Sequence, residues 1–290
     1  MNGPSLLGKV PSVRDFARVD LHHEAALELD LWLSRGLEAL AERGLEQPPH
    51  RTRFVLPFDH GRLVGVLAPS RDQARRRYPV LVFRRVASHG VTHVGLARAA
   101  EAFLGAAEAL LESSQTLPFA MLEQGVRKLP AVQQQALQPA AELARVSAWR
   151  LLDQLFGSHK QAAQELSRVL QWLADAAEQG PASPLQCPVA SPASIDLWFG
   201  LMDMHGPAAP LSAFVCSGVL LVAWGRPSPS LLLQLARLQR SPPGVAAPRA
   251  SAPLTARVQE VLAGLEQDAV LDQLLSRLPS GRGWAAWADG

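Results

Sequence analysis

The chain has 290 residues, 48% hydrophobic and 19% charged, a globular composition with ample material for a buried core. Its 28 Lys and Arg against 26 Asp and Glu leave a formal charge of +2, which gives no concentrated basic face and argues against a nucleic-acid partner. Two cysteines without metal-ligand spacing, no leader-like start, and an apolar run near Val215–Trp224 broken by Cys-Ser-Gly argue against a disulfide scaffold, a secretory signal and a membrane span. A cytoplasmic protein is expected.

The chain opens on Gly3-Pro4-Ser5-Leu6-Leu7-Gly8-Lys9-Val10, which has the glycine and lysine spacing of a phosphate-binding loop. The chemistry fails at the next position. Val10 stands where a hydroxyl would hold Mg²⁺, and Pro11 turns the chain away from the helix such a loop must enter. A phosphate- or nucleotide-binding module using Lys9, Arg71 and Arg76 therefore stands only as an alternative.

From Asp20 to Leu45 the residues Leu21, Ala25, Leu29, Trp32, Leu33, Leu37 and Leu40 recur every three or four positions, predicting a helix with Asp20 as N-cap and Gly44 at its end. Residues 53–56 and 63–67 read as strands joined by a turn at Asp59-His60-Gly61, and Tyr78–Phe83 reads as a third strand. The polar segment Ser70–Arg77 between them reads as a loop or a short helical turn. Helical periods return after Gly95, from Pro118, through Val132–Leu155, and over Gln161–Glu178. Gly180–Pro192 reads as a connector, Ile195–Phe199 as a strand, and Phe214–Trp224 as another, with Ser217 inside it. Pro229–Arg240 suits a helix with proline in its first turn.

Three segments follow from this pass: a main α/β domain over 1–240, a Pro/Ala-rich linker over 241–253, and an amphipathic helical tail over 254–290. The stripe of Leu254, Val258, Val261, Leu262, Leu265, Leu271, Leu274, Leu275 and Leu278 predicts one helix over 254–278, docked on its own domain.

No catalytic constellation stands out. His89 and His93 are four apart, but Gly-Val-Thr between them breaks the helix that would pair them on a metal. His22 and His23 are adjacent and point to different sides. Ser217 lacks the first glycine of a nucleophile elbow. Asp15 and Asp72, each shortly after a serine and among arginines, suit caps or local pairing with Arg14, Arg71, Arg75 or Arg76. No metal, cofactor or small-molecule substrate is expected.

Gly8-Lys9-Val10-Pro11-Ser12-Val13-Arg14-Asp15-Phe16 resembles the amino-terminal signature of the TagF (ImpM) family, accessory proteins of bacterial type VI secretion. That signature runs roughly Gly-Lys-Leu/Val-Pro-Ser-x-Gly-Asp-Phe, so Arg14 stands where the family has Gly. A second block, Pro69-Ser70-Arg71-Asp72 followed by Arg75-Arg76-Arg77-Tyr78-Pro79, is similar to the family's Pro-Ser-x-Asp…Gly-Arg-x-Phe/Tyr-Pro element, and Arg75 again replaces Gly. Trp32-Leu33 matches the family's helix end. The likeness covers roughly residues 5–240, firmly over the first 90.

The resemblance implies an α/β (α+β) fold, with a mainly antiparallel sheet of about five strands flanked by helices. It implies a non-enzymatic regulator that restrains secretion after translation by binding a component of the apparatus, with a forkhead-associated scaffold as one known route. Loops carrying Lys9, Ser12, Arg14 and Asp15, and Ser70, Asp72, Arg75 and Arg76, are the expected partner-binding surface. A structural subunit of the secretion assembly platform, engaged through the 254–278 helix, is a further alternative.

Overall fold

The computed structural model describes residues 3–21, 24–59, 61–86, 91–133, 143–179, 183–205, 210–238, 244–247 and 249–279. Eight strands form its centre: β1 (Ser5–Lys9), β2 (Phe16–Val19), β3 (Thr52–Phe58), β4 (Gly61–Ala68), β5 (Val80–Val86), β6 (Leu185–Pro188), β7 (Leu211–Cys216) and β8 (Val219–Trp224). They join in one sheet of order β2-β1-β5-β4-β3-β7-β8-β6, with every neighbouring pair antiparallel.

Side chains alternate across this sheet, and both faces are covered. Leu63 and Leu67 of β4, Leu81 and Phe83 of β5, and Phe214 of β7 lie in one buried cluster. Val64, Val66, Val80 and Val82, their neighbours in sequence, lie in another. The first face carries α1 (Glu24–Ala41) and α7 (Pro229–Arg237). Opposite, α2 (His93–Ser113) and α3 (Phe119–Arg127) cover the β1–β5–β4 part. The β7–β8–β6 part is covered by α4 (Ala148–Phe156), α5 (His159–Gln179), α6 (Pro192–His205), α8 (Ala252–Ala263) and α9 (Leu271–Arg277). None of the helices among the described residues is long and apolar enough to cross a membrane.

The mainly antiparallel α+β architecture is as expected, but the sheet has eight strands rather than about five. Four strands are added and one expected strand is lost, and the additions have local causes. The motif segment itself forms β1 and β2, hidden from a pattern search because glycine, proline and charge interrupt it. The connector holds β6, with Cys187 paired opposite Leu220. The single run Phe214–Trp224 is a hairpin, because Ser217 (φ 49°) and Gly218 (φ 78°) take the paired positive angles of a two-residue turn.

Ile195–Phe199, expected as a strand, belongs to α6, where Ser194, Leu197, Trp198, Leu201 and Met202 are all fully buried. Most of this helix is buried and its few polar side chains, Ser194, Asp196 and Asp203, are taken up by neighbouring segments, so its short apolar core imitates a strand. α1 starts at Glu24, not Asp20: Asp20 has φ 51°, and its carbonyl accepts from Ser5 Oγ at 2.8 Å. The helix expected through Val132–Leu155 begins at Ala148, capped by Ser147, while 134–142 lie outside the described residues. The 254–278 stripe is two helices. α8 closes at Gly264, whose N–H donates to Glu260 O at 3.0 Å, and the chain then bridges to Ser147 through Val270 before α9 begins. Leu254, Val258, Leu262, Leu271, Leu274 and Leu275 are buried with Trp172 and Trp198 in one cluster.

Candidate functional site: a buried carboxylate joining two loops

The two motif blocks, about sixty residues apart in sequence, meet at one edge of the sheet. Gly8 starts the contact. It has φ 131°, and a Cβ there would lie 2.1 Å from the Pro79 carbonyl oxygen, so β1 approaches the residues before β5 only because the side chain is absent. Lys9 follows at the strand end and is 7% exposed. Val10 is fully buried, and Val13 N–H donates to Val10 O at 3.1 Å, closing a turn with Pro11 at its second position. Phe16 then returns in β2, its ring 5.3 Å below the Lys9 ammonium and 4.8 Å from the Tyr78 ring, edge-on.

Asp72 is the centre of this arrangement, and its side chain has no exposed surface. Its carboxylate accepts from Arg76 N at 2.8 Å and Arg76 Nε at 2.7 Å, and pairs with Lys9 Nζ at 3.1 Å. The Asp72 N–H returns a bond to Arg76 O at 3.1 Å, so the 72–76 turn is tied at both ends. Arg76 reaches across, Nη2 donating to Arg14 O at 2.5 Å, and Gln73 N donates to Val13 O at 2.9 Å. One carboxylate thus locks loop 10–15 against loop 70–77.

The electrostatics agree. Burial alone would raise the Asp72 carboxyl, but the bonds from Arg76 N–H, Lys9 and the Arg76 guanidinium outweigh it and hold it at about 2, below its ordinary 3.8. Tyr78, beside the hub, is pushed up to about 12, first by burial and then by the Asp30 carboxylate, against a lowering bond from Ser34. Its hydroxyl donates to Asp30 Oδ1 of α1 at 3.2 Å, linking the hub to that helix.

The expected site residues therefore divide by depth. Lys9, Ser70 and Asp72 are buried, and the Ser70 carbonyl accepts from Gln47 Nε2 at 2.9 Å and Tyr78 N at 3.2 Å. Ser12, Arg14, Asp15, Arg75 and Arg76 are exposed on the loops that these residues fix. Asp15 turns inward on its own segment, its carboxylate accepting from Phe16 N at 2.9 Å. Of the two arginines standing where the resembled pattern has glycine, Arg75 takes the left-handed backbone, with φ 62°, and Arg14 does not.

A second, partly buried acid lies outside the expected site residues. Asp203 of α6 accepts from His93 N at 2.8 Å and Val94 N at 3.1 Å, and lies 2.6 Å from His93 Nδ1. It caps the first turn of α2 from a neighbouring helix. Seven residues earlier, Asp196 pairs with Arg98 of α2. Two carboxylates seven apart in an otherwise apolar stretch were the available signal, obscured by reading that stretch as a strand. His89, weighed as a metal partner for His93, lies outside the described residues, as do His22, His23 and His60. Among the described residues no group of three or more His, Cys, Asp or Glu side chains is placed to hold a metal ion.

Residues 5–129 match the family model described as the TagF N-terminal domain, Type VI secretion system-associated. Both blocks and the hub they form lie within that match. Among solved structures the chain is similar to PA0076 from Pseudomonas aeruginosa PAO1, with 25% identity over 44% of this chain and 63% of that one, and a TM-score of 0.39. The chain thus spans less than two thirds of that protein's length. No curated protein matches the sequence.

Proposed function

Through residues 5–129 this chain belongs to the TagF family of type VI secretion-associated proteins, and from that premise we propose that it is a non-enzymatic cytoplasmic regulator. It restrains secretion after translation by binding a component of the apparatus, with a forkhead-associated scaffold as the first candidate. The binding face is formed by the two loops at 10–15 and 70–77. The observation that carries this reading is the hub: a fully buried carboxylate, Asp72, holds two exposed polar loops in one fixed relation. Loops fixed on a rigid sheet lose little conformational entropy on binding, which favours affinity.

The test uses the fact that both cysteines, Cys187 and Cys216, are buried. Ser12→Cys on the loop face and Gln259→Cys on α8 are each labelled with a bulky maleimide, and binding of purified secretion components is measured. Loss of binding with the label at 12 and retention with the label at 259 is expected. The reverse result places the contact on the α8–α9 side, as for a structural subunit of the assembly platform.

A further inference from the structure

The two loops and the adjoining end of β1 gather six basic side chains, and the structure divides them by whether they are neutralised. Asp72 pairs with Lys9 and Arg76, and Glu46 pairs with Arg77. Arg14, Arg71 and Arg75 are exposed and make no ion pair among the described residues.

Two unfavourable features coincide at these side chains. Arg75 holds a left-handed backbone, φ 62°, that a side-chain-bearing residue adopts reluctantly. Arg71 stands opposite Arg77 in an antiparallel bridge, where like charges repel, and the one carboxylate there, Glu46, is on Arg77. Strain and uncompensated charge held together by a buried hub mark a surface shaped for a partner rather than for stability.

We propose that this surface recognises an acidic segment of the protein partner, whose Asp or Glu carboxylates accept the forked N–H donors of Arg14, Arg71 and Arg75. The inference rests on the reading that a secretion component binds this face. Carboxylates match the planar fork of arginine with two parallel bonds, which supplies orientation as well as attraction. A polypeptide fits better than a nucleic-acid backbone or a membrane surface. Asp15 and Glu46 are exposed among the arginines and oppose a continuous polyanion, and a net charge of +2 gives no wider attractive field.

The full-length chain is titrated by fluorescence anisotropy against a labelled Asp/Glu peptide, the Asn/Gln peptide of equal length, and phosphatidylglycerol vesicles. The acidic peptide is expected to bind about tenfold or more tightly than its amide counterpart and to weaken as ionic strength rises from about 0.05 to about 0.3 M. Arg14→Glu/Arg75→Glu should abolish that preference, whereas Arg35→Glu/Arg150→Glu, the same charge change elsewhere on the surface, should keep it. Arg14→Gln/Arg75→Gly removes the charges while relieving the left-handed position, and guards against a folding defect in the reversed pair.

Equal binding of the two peptides overturns the inference, as does equal loss in both Glu pairs. Vesicle binding that exceeds peptide binding and disappears in Arg14→Glu/Arg75→Glu overturns it in favour of a membrane surface. A secretion component blocked by the label at position 12, yet indifferent to salt and to the Arg substitutions, removes the acidic segment and leaves the binding face standing. A component indifferent to that label removes the binding face itself.

Discussion

Asp72, fully buried, and Asp203, partly buried, are both acids that collect backbone N–H donors, yet they do different work. Asp72 takes its partners from its own turn and from the end of β1, and Arg76 carries the tie on to Arg14 O, so what it fixes is a surface: Ser12, Arg14, Arg75 and Arg76 are displayed because it holds the turns beneath them. Asp203 takes its partners from the first turn of a neighbouring helix, and what it fixes is the packing of α6 against α2. A buried charge is therefore not a sign of a functional site by itself. The side chains that a buried charge holds at the surface distinguish the two cases.

The largest effect in this comparison is expected at Asp72→Ala, which leaves the Lys9 ammonium buried without its counter-ion. Removing one partner of a buried pair is far worse than removing both, so Lys9→Met/Asp72→Ala should recover much of the lost stability in chemical denaturation. Asp203→Ala should cost about 2–3 kcal/mol, the penalty of unsatisfied first-turn N–H groups and a lost cap. It should leave partner binding unchanged in variants that remain folded. If Asp203→Ala abolishes binding in folded protein while Asp72→Ala spares it, the assignment of surface and packing roles is reversed.

The third expectation is a pH dependence confined to the loop hub. Folding lowers the Asp72 carboxyl from 3.8 to about 2, so its ionised form is the one the fold favours. The contribution is complete above the unfolded value and disappears as pH falls through the folded one. Wild type should therefore lose its stability advantage over Asp72→Asn between pH 3.8 and about 2, measured by denaturation at stepped pH. The advantage should be flat above that interval.

The smallest effect, and the most informative about purpose, is at Arg75→Gly. Glycine carries no penalty at φ 62°, so stability should rise by about 1 kcal/mol. Arg14→Gly, at a position without left-handed backbone, should give no such gain. A rise in thermal stability together with weaker partner binding in Arg75→Gly would identify the arginine as kept for recognition.

Much of the N-terminal region was legible in the sequence. α1, β3, β4 and β5 follow from period and alternation, and the blocks at Gly8–Phe16 and Pro69–Pro79 stand out in the sequence alone. What could not be read was that Gly8 permits a close approach to Pro79, or that Lys9 turns inward to Asp72, because both depend on chain segments distant in sequence. The division of the site into buried hub and displayed arginines was hidden for the same reason. Asp and Arg look alike in loops whether they face solvent or each other.

The C-terminal region was harder. α6 is buried along most of its length and its helical signature is weak, and the Ser217-Gly218 turn is hidden inside an apolar run. One leucine stripe concealed the break between α8 and α9, since both helices pack into the same core and keep the same spacing. Tertiary burial erased the polar face that periodicity needs.

The central claim, that loops 10–15 and 70–77 are the contact face for a type VI secretion component, is tested most directly by hydrogen exchange of the full-length chain with and without a purified forkhead-associated scaffold protein. New protection at Ser12–Phe16 and Arg71–Arg77, with α8 and α9 unchanged, is the result expected. Binding accompanied by protection confined to α8 and α9, with both loops exchanging as in the free chain, would contradict it.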